Sequence, residues 1–178
     1  MYDSFISFDT ETTGLNEDAR IIELAAIWWV DGQIKDVFDS RFDPSPIDWE
    51  DEQVKQAQAI NQIAKEELIG CPTFESHVDL LEGFLQLAPV LVAHNAEFDL
   101  RMVRQEMDRV GYCFQPERIV CTMRLDQRIS PRPHRLASSC ARWGVDLKNA
   151  HSAFGDAKAC GELLLKIQNS GRLPANMQ

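Results

Sequence analysis

The stretch between residues 21 and 42 narrows the choice of folds more than any other. Two runs, 21–30 and 34–42, carry Ile, Val, Trp and Phe and are separated by Asp31-Gly32, a dipeptide that takes up the positive φ angles of a tight hairpin. With residues 2–10 reading as a strand ahead of them, the chain opens on an antiparallel arrangement. Much later, residues 90–93 (Val-Leu-Val-Ala) form a run without a polar side chain between Pro89 and Asn95. So short an apolar run suits a strand covered on both faces. An antiparallel start and a doubly covered strand in one chain require a mixed sheet with helices against it.

Helical patterns fill the intervals. They are expected at 53–60, at 74–87 after Pro72-Thr73, and at 96–110, where Asn95 is the candidate cap and Gly111 the stop. Further helices are expected at 122–129, 136–143 and 153–167, with a last short strand at 119–121. The order implies a layered α/β unit. At 178 residues and 44% hydrophobic content, residues 1–178 fit one domain.

Several functional classes drop out. The longest apolar stretch, 24–30, is too short to span a bilayer, so no membrane partner is expected. The first ten residues lack the basic segment of a secretory signal. Five cysteines include no C-x-x-C pair, which argues against a zinc ribbon or a disulfide framework and for reduced thiols in a cytoplasmic protein.

The net charge of −10 is unevenly distributed. Residues 1–100 hold 5 basic and 21 acidic side chains, whereas residues 101–178 hold 13 basic and 7 acidic. Such asymmetry is a mark of nucleic-acid contact. Its densest basic part comprises Arg118, Arg124, Arg128, Arg132 and Arg135; by itself this run reads first as a solvated helix and loop surface.

The acidic side chains carry the chemistry. Asp9 and Glu11 are two apart at the end of the first strand, so both point to one face. An exposed strand end explains such a pair simply, but Ile6 and Phe8 read as core, and carboxylates at the rim of a buried strand need a partner such as a metal ion. Asp99, in the first turn of the helix after the buried strand, is also well placed as an ordinary helix N-terminal carboxylate. Asp156 has the same double reading near the start of the last helix, and His151 lies just outside that helix. His77 and His134 read as structural or exposed. Hard oxygen ligands without a Cys or His cluster suit Mg²⁺ or Mn²⁺ better than zinc, and a pair of such ions suits phosphodiester chemistry.

In order along the chain, Phe8-Asp9-Thr10-Glu11-Thr12-Thr13-Gly14-Leu15, His94-Asn95-Ala96-Glu97-Phe98-Asp99 and His151-Ser152-Ala153-Phe154-Gly155-Asp156-Ala157 resemble the three motifs of the DnaQ-like exonucleases, in the subgroup lettered DEDDh. Cys121-Thr122-Met123-Arg124-Leu125 resembles the segment between the last two. The resemblance spans residues 8–157. It implies a ribonuclease-H-like three-layer fold, with a mixed, mostly five-stranded sheet flanked by helices, and a 3′→5′ exonuclease that releases nucleoside 5′-monophosphates. By the same likeness, Asp9, Glu11 and Asp156 would hold a first divalent cation, Asp9 would also touch a second, Asp99 would act on that second ion or its water shell, and His151 would activate water. Residues Thr10, Thr12, Thr13, Gly14 and Leu15 would bind the terminal nucleotide, with Asn95 and Phe98 shaping the pocket and Arg128, Arg132 and Arg135 touching the strand upstream. The implied partner is nucleic acid with a free 3′ end, DNA favoured over RNA. A DNA polymerase or repair protein is a further candidate partner, although the short tail after the last helix favours a stand-alone exonuclease. An inactive polymerase-partner module is the remaining alternative, opposed by the presence of all five catalytic positions.

Overall fold

The computed structural model describes residues 2–148 and 150–172. Five strands form one sheet: β1 (Ser4–Thr12), β2 (Ile21–Val30), β3 (Gln33–Arg41), β4 (Val90–Ala93) and β5 (Arg118–Cys121). Their order is β3-β2-β1-β4-β5. The first three pair antiparallel, and β4 runs parallel to both β1 and β5, which gives the mixed sheet expected from the hairpin and the apolar run. Asp31 and Gly32 both take positive φ at the hairpin.

Seven helices are described: α1 (Glu52–Asn61), α2 (Lys65–Leu68), α3 (Phe74–Leu85), α4 (Ala96–Arg109), α5 (Thr122–Ile129), α6 (Leu136–Trp143) and α7 (Ala153–Asn169). Alternation along β1 divides the core. Phe5 packs with Trp29 and the α7 residues Ala157, Cys160 and Leu164, whereas Ile6 and Phe8 pack with Leu81 of α3 and Met102 and Val103 of α4. Period-two alternation thus builds two apolar layers from one strand.

The sheet holds α7 unusually close. A Cβ on Gly161 would lie 2.6 Å from Trp29 ring atoms, so the missing side chain lets the indole rest against the helix backbone. Trp29 also stacks on Phe5 at 5.8 Å between centroids and donates from Nε1 to Ser7 Oγ at 2.8 Å. This packing sets the height of α7 above β1 and therefore of every side chain in its first turn.

Three differences from the expectations have physical causes. The first strand runs two residues further, because Glu11 stays in register opposite Glu23 of β2. One turn, α2, lies below the length at which periodicity shows. Asn95 stands at the start of α4 but caps nothing with its side chain, since it has φ 69° and ψ 42°; the left-handed backbone that Asn tolerates replaces the extended geometry that capping requires. No described helix is long and apolar enough to cross a membrane.

Candidate active site

The face of β1 that carries Phe5 and Ser7 also carries Asp9 and Glu11, both turned toward α7. At the start of that helix, Ser152 Oγ accepts from Gly155 N–H at 3.2 Å, an N-cap that leaves Asp156 in the first turn over the sheet. Asp9, Glu11 and Asp156 each bring a carboxylate oxygen to within 4.8 Å of the others.

The three are short of donors. Asp156 Oδ1 is buried without a hydrogen-bond partner, a condition that costs roughly 1–3 kcal/mol. Burial, followed by the charges of Asp99, Asp156 and Glu11, holds the Asp9 carboxyl well above the usual carboxylate range. Burial and the charges of Asp156 and Glu23 push Glu11 up to about 8. Burial raises Asp156 too, opposed by the backbone N–H and the charge of His151. Desolvated like charges are unfavourable in water alone and favourable around a cation. An unpartnered oxygen within a set of hard carboxylate donors fits a divalent ion of the magnesium type.

Asp99 stands outside this trio. Its Oδ1 accepts from Thr10 N–H at 3.1 Å and from Thr10 Oγ1 at 2.9 Å, and burial, offset by those bonds, raises its carboxyl to about 7. It is near enough for its charge to act on Asp9. His151 is exposed, beside Asp156, with φ 68°, a conformation that costs a residue with a Cβ about 1–2 kcal/mol.

Next to the carboxylates lies a cavity of about 300 Å³. Thr10, Glu11, Thr12, Gly14, Leu15 and Phe98 form one wall, and the α1 residues Gln53, Gln56, Ala57, Ile60 and Asn61 form the other. Leu15 and Ile60 are 70% and 60% exposed, two apolar side chains facing an open cleft. Asn61 Nδ2 donates to Thr12 O at 3.1 Å, tying α1 to the motif loop. Thr13 turns away: its N–H donates to Arg20 O and its Oγ1 accepts from Arg20 N–H, both at 2.9 Å. Asn95 is exposed and does not line the cavity. The part played by α1 is not among the sequence expectations; its one sequence signal is Ile60, an apolar residue in a polar helix.

The basic residues separate into two groups. Arg128 lines a groove of about 610 Å³ along the β5 edge with Arg118, Arg124 and Tyr2, and this groove meets the first turn of α4 at Glu97. Arg132 and Arg135 are exposed on the segment between α5 and α6. That segment is fastened from within. His94 joins Thr122 Oγ1 through Nδ1 at 2.9 Å and His134 O through Nε2 at 2.8 Å, and His134 Nδ1 meets Asp126 Oδ2 at 3.0 Å. His134 is therefore structural, as is His77, whose ring meets the edge of Phe42.

Comparison with known proteins agrees with this geometry. Residues 6–164 match the model of a family described as "Exonuclease". The chain is 32% identical over 167 residues to a DNA polymerase III PolC-type protein of Halalkalibacterium halodurans, covering 92% of this chain but 11% of that relative. It is also 32% identical over 165 residues to the DNA polymerase III subunit epsilon of Treponema pallidum, covering 90% of this chain and 74% of the relative. Among solved structures it is similar to exonuclease X in complex with 5′-overhanging duplex DNA, at 25% identity and TM-score 0.72 over 97% of this chain and 95% of the other. Exonuclease I of E. coli in a single-stranded DNA complex shares the fold, at 15% identity and TM-score 0.77 over 97% of this chain and 41% of the other. The sheet with helices on both faces is the ribonuclease-H-like architecture of these nucleases. A family match over nearly the whole described length, joined to a relative of similar size at 32% identity, assigns the chain to the DnaQ-like exonuclease family.

Proposed function

We propose that the protein is a DEDDh-type 3′→5′ exodeoxyribonuclease that shortens single-stranded or frayed DNA ends one nucleoside 5′-monophosphate at a time, with residues 1–178 forming one exonuclease domain. One observation carries the reading. Glu11 belongs both to the carboxylate trio and to the wall of the 300 Å³ cavity. A nucleotide seated in that cavity puts its 5′ phosphodiester at the carboxylates, and a cavity of this size accepts a terminal nucleotide and little beyond it.

In this reading Asp9, Glu11 and Asp156 hold one divalent cation, Mg²⁺ or Mn²⁺, with Asp9 also reaching a second and Asp99 acting on that ion or its water shell. Such cations, when bound, offset phosphate charge and make water more acidic. The chain's own residues do the rest. His151 accepts the proton of the attacking water at its imidazole, the general-base role that histidine most often takes. Leu15, Phe98 and Ile60 pack on the base, an interaction tolerant of sequence. Thr10, Thr12 and Gly14 lie against the sugar. Upstream, the strand follows Arg128, Arg132 and Arg135.

The likeness to polymerase III proteins favours DNA and a DNA polymerase or repair protein as partner. Five free thiols are consistent with a cytoplasmic setting. RNA trimming at 3′ ends is the second reading, because carboxylates and cations act on phosphate irrespective of the 2′-OH. Matched 5′-labelled DNA and RNA oligonucleotides, incubated with Mg²⁺ and with chelator, test both. A one-nucleotide ladder on DNA that chelator abolishes is expected; faster shortening of RNA would transfer the assignment, and no cation-dependent shortening of either would end it.

A further inference from the structure

Glu23 is a charged residue near the start of the otherwise apolar strand β2, only 7% exposed, and the chemistry above does not use it. In the β1–β2 register it is opposite Glu11, so both side chains point toward α7. Its Oε2 accepts from Ala153 N–H at 2.8 Å. Its Oε1 accepts from Arg41 Nε at 2.8 Å, and Arg41 Nη1 reaches Glu67 Oε2 at 2.7 Å.

Ala153 is the first residue of α7. The amides of a helix's first turn lack partners within the helix, and the Ser152 cap serves a different one, Gly155. A carboxylate on the Ala153 amide therefore makes a charge-assisted bond and meets the positive end of the helix dipole. The tie is made where the site is assembled, since His151 precedes Ala153 by two residues and Asp156 follows it by three. It joins the strand bearing Glu11's partner to the helix bearing Asp156, and it fastens the chain two residues beyond His151, which is held at φ 68°.

The charge of Glu23 also has a cost, because it adds to the repulsion on Asp9 and Glu11.

We propose that Glu23 is a positioning residue for hydrolysis: by holding the first amide of α7 to the sheet, it fixes His151 and Asp156 relative to Asp9 and Glu11. This rests on the nuclease reading of the site. Outer-shell interactions of this kind are worth about 10- to 100-fold in activity. Glu23→Ala is expected to lower kcat by that factor on the p-nitrophenyl ester of thymidine 5′-monophosphate and on oligonucleotides alike, with KM within about twofold of wild type. Glu23→Gln, which retains a neutral acceptor for Ala153 while giving up the charge and the bond to Arg41, recovers most of the loss. Hydrogen exchange followed by NMR supplies a readout independent of activity: in Glu23→Ala the Ala153 amide exchanges faster, while Leu163 and Leu164 deeper in α7 keep their protection. Wild-type kcat in Glu23→Ala, equal impairment in Glu23→Gln, or a loss of protection spread evenly along α7 each overturns the proposal. An inactive wild-type protein would sink the nuclease reading instead, and unchanged Ala153 exchange in Glu23→Ala would still reject the tie.

Discussion

Two sets of carboxylates, one fully buried and one partly buried, sit on the same side of the sheet, yet they are opposites. Asp126, whose side chain is fully buried, receives Ser139 Oγ at 2.6 Å, Trp143 Nε1 at 2.8 Å and His134 Nδ1 at 3.0 Å, and it pairs with Arg142. Although burial works to raise it, those bonds hold Asp126 well below the usual carboxylate range. Asp9, Glu11 and Asp156 are partly buried with few donors, Asp156 receiving the His151 N–H and leaving Oδ1 unpartnered, and all three are raised. Burial alone does not mark a reactive acid. A shortage of donors does, since it leaves lone pairs for a cation to use.

That contrast gives opposite expectations for equivalent substitutions. Asp9→Asn should lower nuclease activity by roughly 10³-fold or more, about 4 kcal/mol of lost transition-state stabilisation, while the melting temperature of the chelated protein stays level or rises as repulsion is removed. Asp126→Ala should do the reverse. Leaving Arg142 and three further donors without their anion costs about 3–5 kcal/mol of stability, seen as a large fall in Tm, with activity per folded molecule changed only a few-fold. Measuring Tm and kcat for both variants checks the pair; a stable, inactive Asp126→Ala protein would erase the distinction.

The pH dependence of stability separates the groups again, with a smaller effect. Glu11 titrates near 8 in the folded chain against an ordinary value of 4.5, so between those values the folded state binds the proton more tightly than the unfolded state does. The chelated protein should therefore lose stability as pH rises through that window. Asp126 has the opposite sign: its folded value lies below the ordinary 3.8, and its contribution is lost as pH falls below about 4. Thermal melts with chelator should show a maximum near pH 4–5, and Mg²⁺ should flatten the alkaline side. A chelated Tm that climbs from pH 5 to 8 would contradict the donor shortage.

How much of this could be read from the sequence depended on whether the signal was local. Strand alternation put Asp9 and Glu11 on one face, and the helix expected at 153–167 put Asp156 near its start. The hairpin and the bare apolar run fixed the mixed sheet. The pocket's second wall was not legible, because Gln53, Gln56 and Ile60 of α1 face Leu15 and Phe98 across the cavity through a tertiary arrangement that leaves no periodic trace. Glu23 was detectable in principle: a charge inside an apolar strand must have a partner, but its identity, a backbone amide 130 residues away, was not. The Asn95 cap failed for a simpler reason, that the residue type favouring N-caps also tolerates the left-handed backbone. Likewise Asp126 reads locally as one acid in a basic helix, and only the fold shows that it anchors the segment bearing Arg132 and Arg135.

That anchorage links the two regions and carries the smallest expected effect. Arg128, Arg132 and Arg135 are exposed, so solvent and salt screen them, and in the proposed reading each would contribute through screened attraction to phosphate. Replacing all three with alanine should raise KM for long single strands several-fold, leave kcat unchanged, and leave the p-nitrophenyl ester unaffected because it fills only the terminal pocket. The slope of log KM against log salt should fall by about 0.7 for each phosphate of a single strand that no longer meets an arginine. Because Asp126 fixes the path of the 131–135 segment, Asp126→Asn, tested where it remains folded, should flatten the same slope without removing any cation. An unchanged slope in the triple variant would place the upstream strand elsewhere on the molecule, whereas a change confined to Arg128 would assign it to the groove along β5.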